Sequence, residues 1–364
     1  MTEVPRHDVR MLIVDPVSRR VAGAAFADLP AYLDANDLVV VNDAATLPGS
    51  LAARTAAGEP LELRLVGALA DRRASAIVFG AGDFRTRTED RPLPPALAAG
   101  DELELVAWSD RDGPAAARAR VAARSPVSPR WIELDLDGGA DDAWRAIYRL
   151  GRPVQYAYQR EPLPLWSVQT AYAARPWAAE MPSAGRPLTW ELLLALRRRG
   201  VAIAALTHAA GLSSTGDPAL DAALPWPERY EIPDATAAAV AAARRRGGRV
   251  VAVGTTVLRA LESAATVEDE SSRPIAGGVR AGAGTADLVI TAAHRPRVAD
   301  GLVTGVHGPE ESHYRILASL LDRATLADAT AAMIEGAYQP HELGDACLVL
   351  PGALAVTERR HRLA

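Results

Sequence analysis

The sequence predicts an α/β domain that is interrupted by a small all-β, barrel-like domain. Short unbroken apolar runs such as Val250–Val253, mixed with helical patterns, are typical of strands buried on both faces. Between residues 54 and 140, several segments instead alternate apolar and charged residues, which indicates strands with one solvated face. The predicted organisation is therefore a discontinuous α/β domain, 1–53 with 141–364, and an inserted β domain, 54–140.

The N-terminal part and the inserted domain are read mainly as strands. Arg10–Asp15 and Leu38–Asn42 are apolar enough for buried strands, with a short helix or loop at 26–36 between them. In the inserted domain, Gly- and Pro-containing turns separate strand-like segments at 61–65, 76–79, Glu102–Val106, 117–121 and Trp131–Leu136. Short strands at this spacing predict a small barrel or sandwich.

The rest of the chain returns to helices mixed with short apolar strands. Helical spacing predicts helices over 142–150, 188–199 and 235–246, the last of which is stopped by two glycines. Arginine runs end the second and third of these helices, where they suit the negative end of the helix dipole. Contact with nucleic acid is the alternative use of these runs.

Composition excludes several classes of function. The 364 residues carry a net charge of −5, with 49% hydrophobic and 23% charged residues, as in ordinary globular proteins. No lysine occurs, which excludes a Walker A phosphate loop and a pyridoxal-phosphate Schiff base. Cys347 is the only cysteine, so an intrachain disulfide is excluded. We expect a cytoplasmic protein, since neither a signal peptide nor an apolar run of membrane-spanning length is evident.

A strand, a glycine turn and a helix follow one another at residues 249–264. The apolar run ends at Gly254, and either Thr255 or Thr256 is placed to cap the helix that follows. On this helix Arg259 and Glu262 share a side. The free N–H groups at such a helix start can hold an anion or a carboxylate, although an ordinary βα turn looks the same in sequence.

Polar aromatic residues and hydrogen-bond donors are dense in the octapeptide 151–158. Arg152 can bind a carboxylate with two parallel hydrogen bonds, and Gln155 can bind an amide or a base edge. Tyr156 and Tyr158 offer ring faces to a cation. The alternative is a tyrosine-rich edge of the core.

Three motifs together resemble one known family. They are the octapeptide, the Val-Gly-Thr-Thr-x-x-Arg-x-Leu-Glu-Ser stretch that begins at Val253, and Asp-Leu-Val-Val-Val-Asn-Asp at 37–43. Weaker similarities, in the same order as in the family, lie at 182–185, 228–230, 300–309 and 338–346. The sequence thus resembles the S-adenosylmethionine:tRNA ribosyltransferase-isomerases of queuosine biosynthesis over essentially its whole length.

The resemblance implies a fold and a reaction. Members of this family have an α/β domain with an inserted β-barrel. They remove a C5′ hydrogen that the sulfonium of S-adenosylmethionine acidifies, after which the ribose opens and adenine departs. The aminomethyl group of a 7-deazaguanine in the tRNA anticodon loop then attacks, and methionine leaves as an epoxycyclopentane forms. The implied partners are S-adenosylmethionine and tRNA, with no metal and no further cofactor, in a monomer or homodimer.

The resemblance also implies the residues of the site. The candidate catalytic residues are His307, as the base, together with Glu228 and Arg152. The candidate substrate-binding residues are Gln155, Tyr156, Tyr158, Ser183, Gly185, His208, Gly254, Thr255, Thr256, Arg259, Thr304 and Asp345. The segment from His307 to His313 contains several metal-ligand residue types, but their spacing matches no recognised metal site.

The sequence departs from the family in several motifs. Pro187 stands where the family has a histidine, and Glu310 and Glu311 replace a lysine and a serine. Losing a cation and gaining two carboxylates weakens phosphate binding if this region faces substrate. Two alternatives therefore stand beside tRNA modification: the same donor chemistry on a small-molecule acceptor, and a binding protein without catalysis.

Overall fold

The computed structural model describes residues 5–266, 278–309 and 311–355. The strands are β1 (Arg10–Asp15), β2 (Arg20–Ala25), β3 (Leu38–Asn42), β4 (Ala44–Thr46), β5 (Ser50–Thr55), β6 (Pro60–Leu65), β7 (Arg73–Phe79), β8 (Glu102–Val106), β9 (Ala117–Arg124), β10 (Trp131–Leu136), β11 (Arg175–Ala178), β12 (Ala202–His208), β13 (Glu228–Ile232), β14 (Val250–Val253), β15 (Gly282–Ala286), β16 (Gly301–Gly305) and β17 (Ala346–Val349). The α-helices are α1 (Ala140–Leu150), α2 (Trp190–Arg198), α3 (Pro218–Asp221), α4 (Asp234–Arg245), α5 (Thr255–Ser263), α6 (Ser312–Leu317) and α7 (Arg323–Glu335). Short 3-10 helices lie at Phe26–Tyr32, Thr88–Asp90, Leu165–Val168 and Ser183–Gly185.

A nine-stranded mixed sheet forms the larger part of the molecule. Its strand order is β15-β13-β12-β3-β14-β16-β17-β1-β2. The central strands β12, β3, β14 and β16 are parallel neighbours, whereas antiparallel pairs occupy both edges. The buried strands predicted at 10–15, 38–42 and 250–253 are confirmed as β1, β3 and β14.

Both faces of this sheet are covered, which explains the unbroken apolar runs. On β1, Leu12 and Val14 pack into one hydrophobic core, whereas Met11 and Ile13 pack into a second core on the other face. Helices α4, α5 and α7 contribute side chains to the first core, and α2 contributes to the second. Helices predicted at 142–150, 188–199 and 235–246 are confirmed as α1, α2 and α4, with ends that differ by a few residues.

Six strands close into a barrel in the order β10-β7-β6-β5-β8-β9. The alternation that predicted these strands has the expected cause. On β10, Ile132 and Leu134 are buried in the barrel interior, whereas Glu133 and Asp135 are partly exposed. Side chains of α1 complete the barrel core, so that this helix packs against the barrel it follows.

The predicted fold class, an α/β domain with an inserted β-barrel, is therefore confirmed. The barrel strands lie between Ser50 and Leu136, and the division into separate domains at 54 and 140 stays a prediction. No helix among the described residues combines the length and apolar composition needed to span a membrane.

Candidate active site

Four parallel strands bring polar residues to one edge of the large sheet. Strands β3, β12 and β16 end with Asn42, His208 and Gly305, and β14 is followed by Gly254. The carboxyl ends of parallel neighbours lie at the same edge, where ligands bind in open α/β sheets. Asn42 joins two of these ends, since its side chain accepts from the N–H of His208 at 2.9 Å and donates to the His208 carbonyl at 3.0 Å.

The turn between β14 and α5 has an unusual backbone. Gly254 adopts φ +98°, a conformation that side chains disfavour, and its N–H donates to the Val303 carbonyl at 2.7 Å. No side chain caps α5, so the N–H groups of its first turn are available to a ligand. A Cβ atom on Gly254 would lie 3.7 Å from the Cβ of Ala184, which places this turn against the 3-10 helix Ser183–Gly185.

Glu228 is held at the centre of a small charged group. Its Oε2 atom lies 2.5 Å from a guanidinium nitrogen of Arg259, and its Oε1 atom accepts from the N–H of Gly211. Arg259 is fixed in turn by the carbonyls of Trp226 and Leu288, at 2.8 and 2.9 Å. Burial raises the pKa of Glu228 to about 7, against the lowering influence of Arg259. This carboxylate is therefore suited to accept a proton near neutral pH.

His208 lies beside Glu228 in the interior. Its Nε2 atom is 3.6 Å from Oε2 of Glu228, and the residue is fully buried. Burial, together with the nearby Arg259 cation, lowers the pKa of His208 to about 3. The imidazole is thus neutral in the folded protein, and neither ring nitrogen has a hydrogen-bond partner among the described residues.

Two further carboxylates bind the hydroxyl groups of the predicted tyrosines. The Tyr156 hydroxyl donates to Glu180, and the Tyr158 hydroxyl donates to Glu342. The two rings are stacked with their centroids 6.3 Å apart, and His341 stacks on Tyr158 at 4.4 Å. Sequence reasoning missed Glu180, Glu342 and His341, which lie in irregular segments without a periodic pattern.

The three carboxylates Glu180, Glu228 and Glu342 act on one another electrostatically. Burial and then the charge of Glu180 raise the pKa of Glu342 to about 8, and burial raises the pKa of Glu180. The charge of Glu180 also adds to the raised pKa of Glu228. We call these three residues the carboxylate cluster. A cation bound among them would restore their ionised forms.

A small open cleft lies next to Glu342 of the carboxylate cluster. Glu342 lines it together with Ser183 and Ala184 from the 3-10 helix and Thr304 from β16. Because Ala184 also backs onto Gly254, a continuous set of contacts joins the two tyrosines to the β14–α5 turn. The cleft therefore offers a carboxylate and a hydroxyl group beside small apolar residues.

His307 is linked to this cleft through Thr304. The Nε2 atom of His307 lies 3.1 Å from the Thr304 hydroxyl, and Nδ1 lies 2.9 Å from Oε2 of Glu311. The other Glu311 oxygen accepts from the N–H of Gly308 at 3.0 Å, which fixes the carboxylate. A hydroxyl, an imidazole and a carboxylate in this order form a path along which a proton can move. Glu310, the second carboxylate noted in the sequence, lies outside the described residues.

Comparison with known proteins assigns the chain to a family. Residues 2–349 match the family described as "Queuosine biosynthesis protein". The chain belongs to the queuosine biosynthesis protein family. The S-adenosylmethionine:tRNA ribosyltransferase-isomerase of Gloeobacter violaceus is 33% identical over 362 residues, which cover 96% of this chain and 91% of the relative.

Other similar proteins carry related names. The S-adenosylmethionine:tRNA ribosyltransferase-isomerase of Sorangium cellulosum is 34% identical over 368 residues, covering 94% of this chain and 92% of the relative. A crystal structure of S-adenosylmethionine tRNA ribosyltransferase from Thermotoga maritima is 22% identical, with a TM-score of 0.47, and covers 95% of this chain and 94% of that one. The resemblance to the family that the sequence motifs indicated is confirmed.

Three residues predicted for substrate binding in this queuosine family member have their polar groups engaged by the protein. The Gln155 side chain accepts from the N–H of Leu163 at 2.9 Å and donates to the carbonyl of Glu161 at 3.0 Å. Asp345 binds the backbone and the guanidinium of Arg10. Gly185 is buried, and a Cβ atom there would collide with the Tyr172 hydroxyl. Their roles in binding stay predictions, and the contacts favour supporting positions.

Other predicted residues lie in two different parts of the molecule. The Thr256 hydroxyl accepts from the Asn42 amide at 3.4 Å, and Thr255 begins α5 beside it. Arg152 lies at the barrel instead, with its guanidinium 5.4 Å from the Trp108 ring centroid. No carboxylate among the described residues pairs with Arg152, so the predicted carboxylate fork there would need a ligand.

Proposed function

We propose that this protein is an S-adenosylmethionine-dependent ribosyltransferase-isomerase that modifies tRNA. In this proposal the donor is S-adenosylmethionine, and the acceptor is the aminomethyl group of a 7-deazaguanine in the tRNA. Adenine and methionine are the products released. Support comes from the family of the chain and from the names of its relatives, over more than nine-tenths of its length.

The carboxylate cluster is the observation that carries this proposal on the structural side. The donor carries a sulfonium cation and an ammonium group, and the acceptor amine is a cation at neutral pH. A site for two such reactants has to supply negative charge, and the carboxylate cluster can supply it, with Glu342 lining the cleft. The raised pKa values mean that the free protein keeps part of this charge neutral by protonation, and a bound cation would restore the ionised forms.

The tyrosines and the β14–α5 turn complement the cluster. An aromatic face attracts a cation that has left water, and Arg64 already lies 5.2 Å from the Tyr156 ring centroid. Tyr158, stacked between Tyr156 and His341, extends this aromatic surface toward Glu342. The uncapped start of α5 suits the donor's carboxylate, because helix N-termini attract anions.

Two groups are placed to remove the C5′ proton. His307 reaches the cleft through the Thr304 hydroxyl, and Glu311 holds its other nitrogen. Glu228 has a pKa of about 7, so near pH 7 about half of it is ionised and able to accept a proton. We assign the base to His307, with Glu228 as the alternative, since the imidazole contacts both the Thr304 hydroxyl of the cleft and the Glu311 carboxylate.

Hydrogen exchange on the donor tests this assignment. The protein is incubated with S-adenosylmethionine in heavy water, and deuterium at C5′ is measured by mass spectrometry. We expect exchange in the parent and loss of exchange in His307→Ala, whereas loss in Glu228→Gln alone would assign the base to Glu228. Both variants should still bind the donor, which calorimetry measures. If the parent binds no donor at all, the proposed function is wrong.

Transfer to RNA is the second half of the test. When the protein and S-adenosylmethionine are mixed with a tRNA that carries the aminomethyl-deazaguanine in its anticodon loop, adenine and methionine should be released in equal amounts. Release only with the free base, and not with the tRNA, would favour the small-molecule acceptor. We expect the reaction to proceed without a metal or further cofactor, which activity after treatment with a chelator tests. A cytoplasmic site of action follows from a tRNA substrate, and a monomer or homodimer stays the prediction for the assembly.

A further inference from the structure

A cluster of arginines surrounds Trp108 on the barrel. The guanidinium carbons of Arg111 and Arg152 lie 4.4 and 5.4 Å from the Trp108 ring centroid. Two backbone hydrogen bonds of 2.9 Å between Arg152 and Ser50 hold the Arg152 backbone against β5. The Trp108 indole N–H donates to the Ser50 carbonyl at 3.0 Å, which fixes the ring to the same strand. These contacts place the arginines and the ring as a unit rather than as loose side chains.

Positive charge exceeds negative charge in this unit. Asp83 binds Arg85 at 2.7 Å and lies 4.0 Å from Arg111, so that one carboxylate serves two cations. Within the part of the chain that the structure describes, Arg152 has no hydrogen bond or ion pair from its side chain. Burial and then the charge of Arg111 lower the pKa of Arg152, against a smaller opposing influence of Asp83. An anion bound here would relieve this repulsion.

The unit is connected to the carboxylate cluster along the chain and through contacts. Arg152 precedes Tyr156 by four residues, a stretch that spans at most about 14 Å when extended. The Ser50 hydroxyl donates to Glu62 at 2.7 Å, and Glu62 pairs with Arg64 at 2.9 Å. Since Arg64 also contacts the Tyr156 ring, packed residues connect the arginines to the carboxylate cluster.

The arginines and the carboxylate cluster suit groups of opposite charge. Carboxyl groups do not attract phosphate, so an RNA whose modified base enters the cleft needs cations elsewhere for its backbone. Arginine is suited to phosphate because its guanidinium donates two parallel hydrogen bonds. The aromatic ring adds a surface on which an unpaired base can stack.

We propose that Arg111 and Arg152, which flank Trp108, together with the nearby Arg85, bind backbone phosphates of the RNA next to the nucleotide that enters the cleft. This inference rests on the proposed function, because it takes the acceptor to be RNA. It assigns Arg152 to the acceptor, whereas the sequence motif had suggested a role in catalysis. Phosphate is the group recognised, and the source is an RNA strand rather than a free anion.

Binding of an anticodon stem-loop RNA, measured by fluorescence anisotropy without donor, tests the inference. Arg152→Ala and Arg111→Ala should each weaken binding about fivefold, and each should lower the slope of log affinity against log salt by about 0.7 to 0.9. Arg323→Ala removes an exposed arginine at the start of α7 and is the matched control. Arg85→Ala alters only an exposed side chain, so its effect does not depend on refolding of the barrel.

Three results would overturn the inference. They are an equal loss of RNA binding in the Arg323 control, unchanged salt slopes in all three variants of Arg85, Arg111 and Arg152, and saturable micromolar binding of inorganic phosphate that displaces the RNA. If the parent transfers ribose while the variants bind RNA normally, the inference fails and the proposed function stands. If the variants lose RNA binding while the parent transfers nothing, the inference stands and the proposed function fails.

Discussion

Replacing Glu342 by glutamine should remove most of one proton from the donor-binding reaction. Glu342 has a pKa of about 8, because burial and the neighbouring Glu180 oppose its ionisation. At pH 7 the free protein therefore carries a proton on this group about nine-tenths of the time. A cation bound against Glu342 needs its ionised form, so binding has to expel that proton. Glutamine preserves the shape and the contact with Tyr158 but has no proton to lose.

The size of the effect follows from the two pKa values. If the bound cation brings Glu342 and Glu228 back to ordinary carboxylate behaviour, they release about 0.9 and about 0.5 protons at pH 7. The parent should therefore release about 1.4 protons from these two groups, and Glu342→Gln about 0.5. Above pH 9 the parent is already ionised, and the difference between the two proteins should vanish.

Calorimetric titration with S-adenosylmethionine in buffers of different ionisation enthalpy measures this release directly. Protons that come from the ligand itself are the same for both proteins and cancel in the comparison. Glu335→Gln, which alters an exposed carboxylate on α7, controls for loss of one charge. Equal proton release by parent and Glu342→Gln at pH 7 would show that Glu342 does not face the bound cation.

Three further predictions concern stability, catalysis and the β14–α5 turn. Because Glu228 and Glu342 have pKa values raised from 4.5 to about 7 and about 8, the folded state keeps protons that the unfolded chain has lost. The lowered pKa of His208 acts in the opposite direction below its ordinary value of 6.5, so the unfolding free energy should fall as the pH rises from 6.5 to about 8. A flat urea-unfolding profile over this range would contradict the prediction. His307→Ala should bind the donor but lose C5′ exchange, and normal exchange would exclude His307 as the base. Gly254→Ala places a side chain at φ +98° and should lower stability by about 1–2 kcal/mol and donor affinity about tenfold. The control Gly247→Ala, at φ +68°, should lower stability alone. Equal donor affinities in the two variants would show that the β14–α5 turn does not contact the donor.

Local patterns were sufficient to predict the fold. The run Val250–Val253 is apolar because β14 is covered on both faces, and the alternation on β10 reflects a barrel interior and a solvated exterior. Gly254 marked the turn because few other residues tolerate its backbone conformation. Each of these signals lies within one element, so a single sequence reveals it.

The carboxylate cluster could not be predicted in the same way. Glu342 meets Tyr158 across 184 residues, and Glu180 meets Tyr156 across 24, so no short motif contains either pair. The character of these carboxylates arises from the cleft that surrounds them and is absent from the extended chain. Arg152 shows a related limit: its motif is local and the role predicted for it stays a prediction, but its position beside Trp108 on the barrel is visible only in the structure.

The pairing of β1 with β17 sets an order for folding during synthesis. Met11 pairs with Ala346, so the large sheet is complete only when almost the whole chain has left the ribosome. Every barrel strand, in contrast, lies between Ser50 and Leu136, where loop closure costs less entropy. Chains arrested after α1 should therefore already contain a protease-resistant barrel. Glu342 lines the cleft, so a message truncated before this codon would yield a folded barrel but an incomplete cleft.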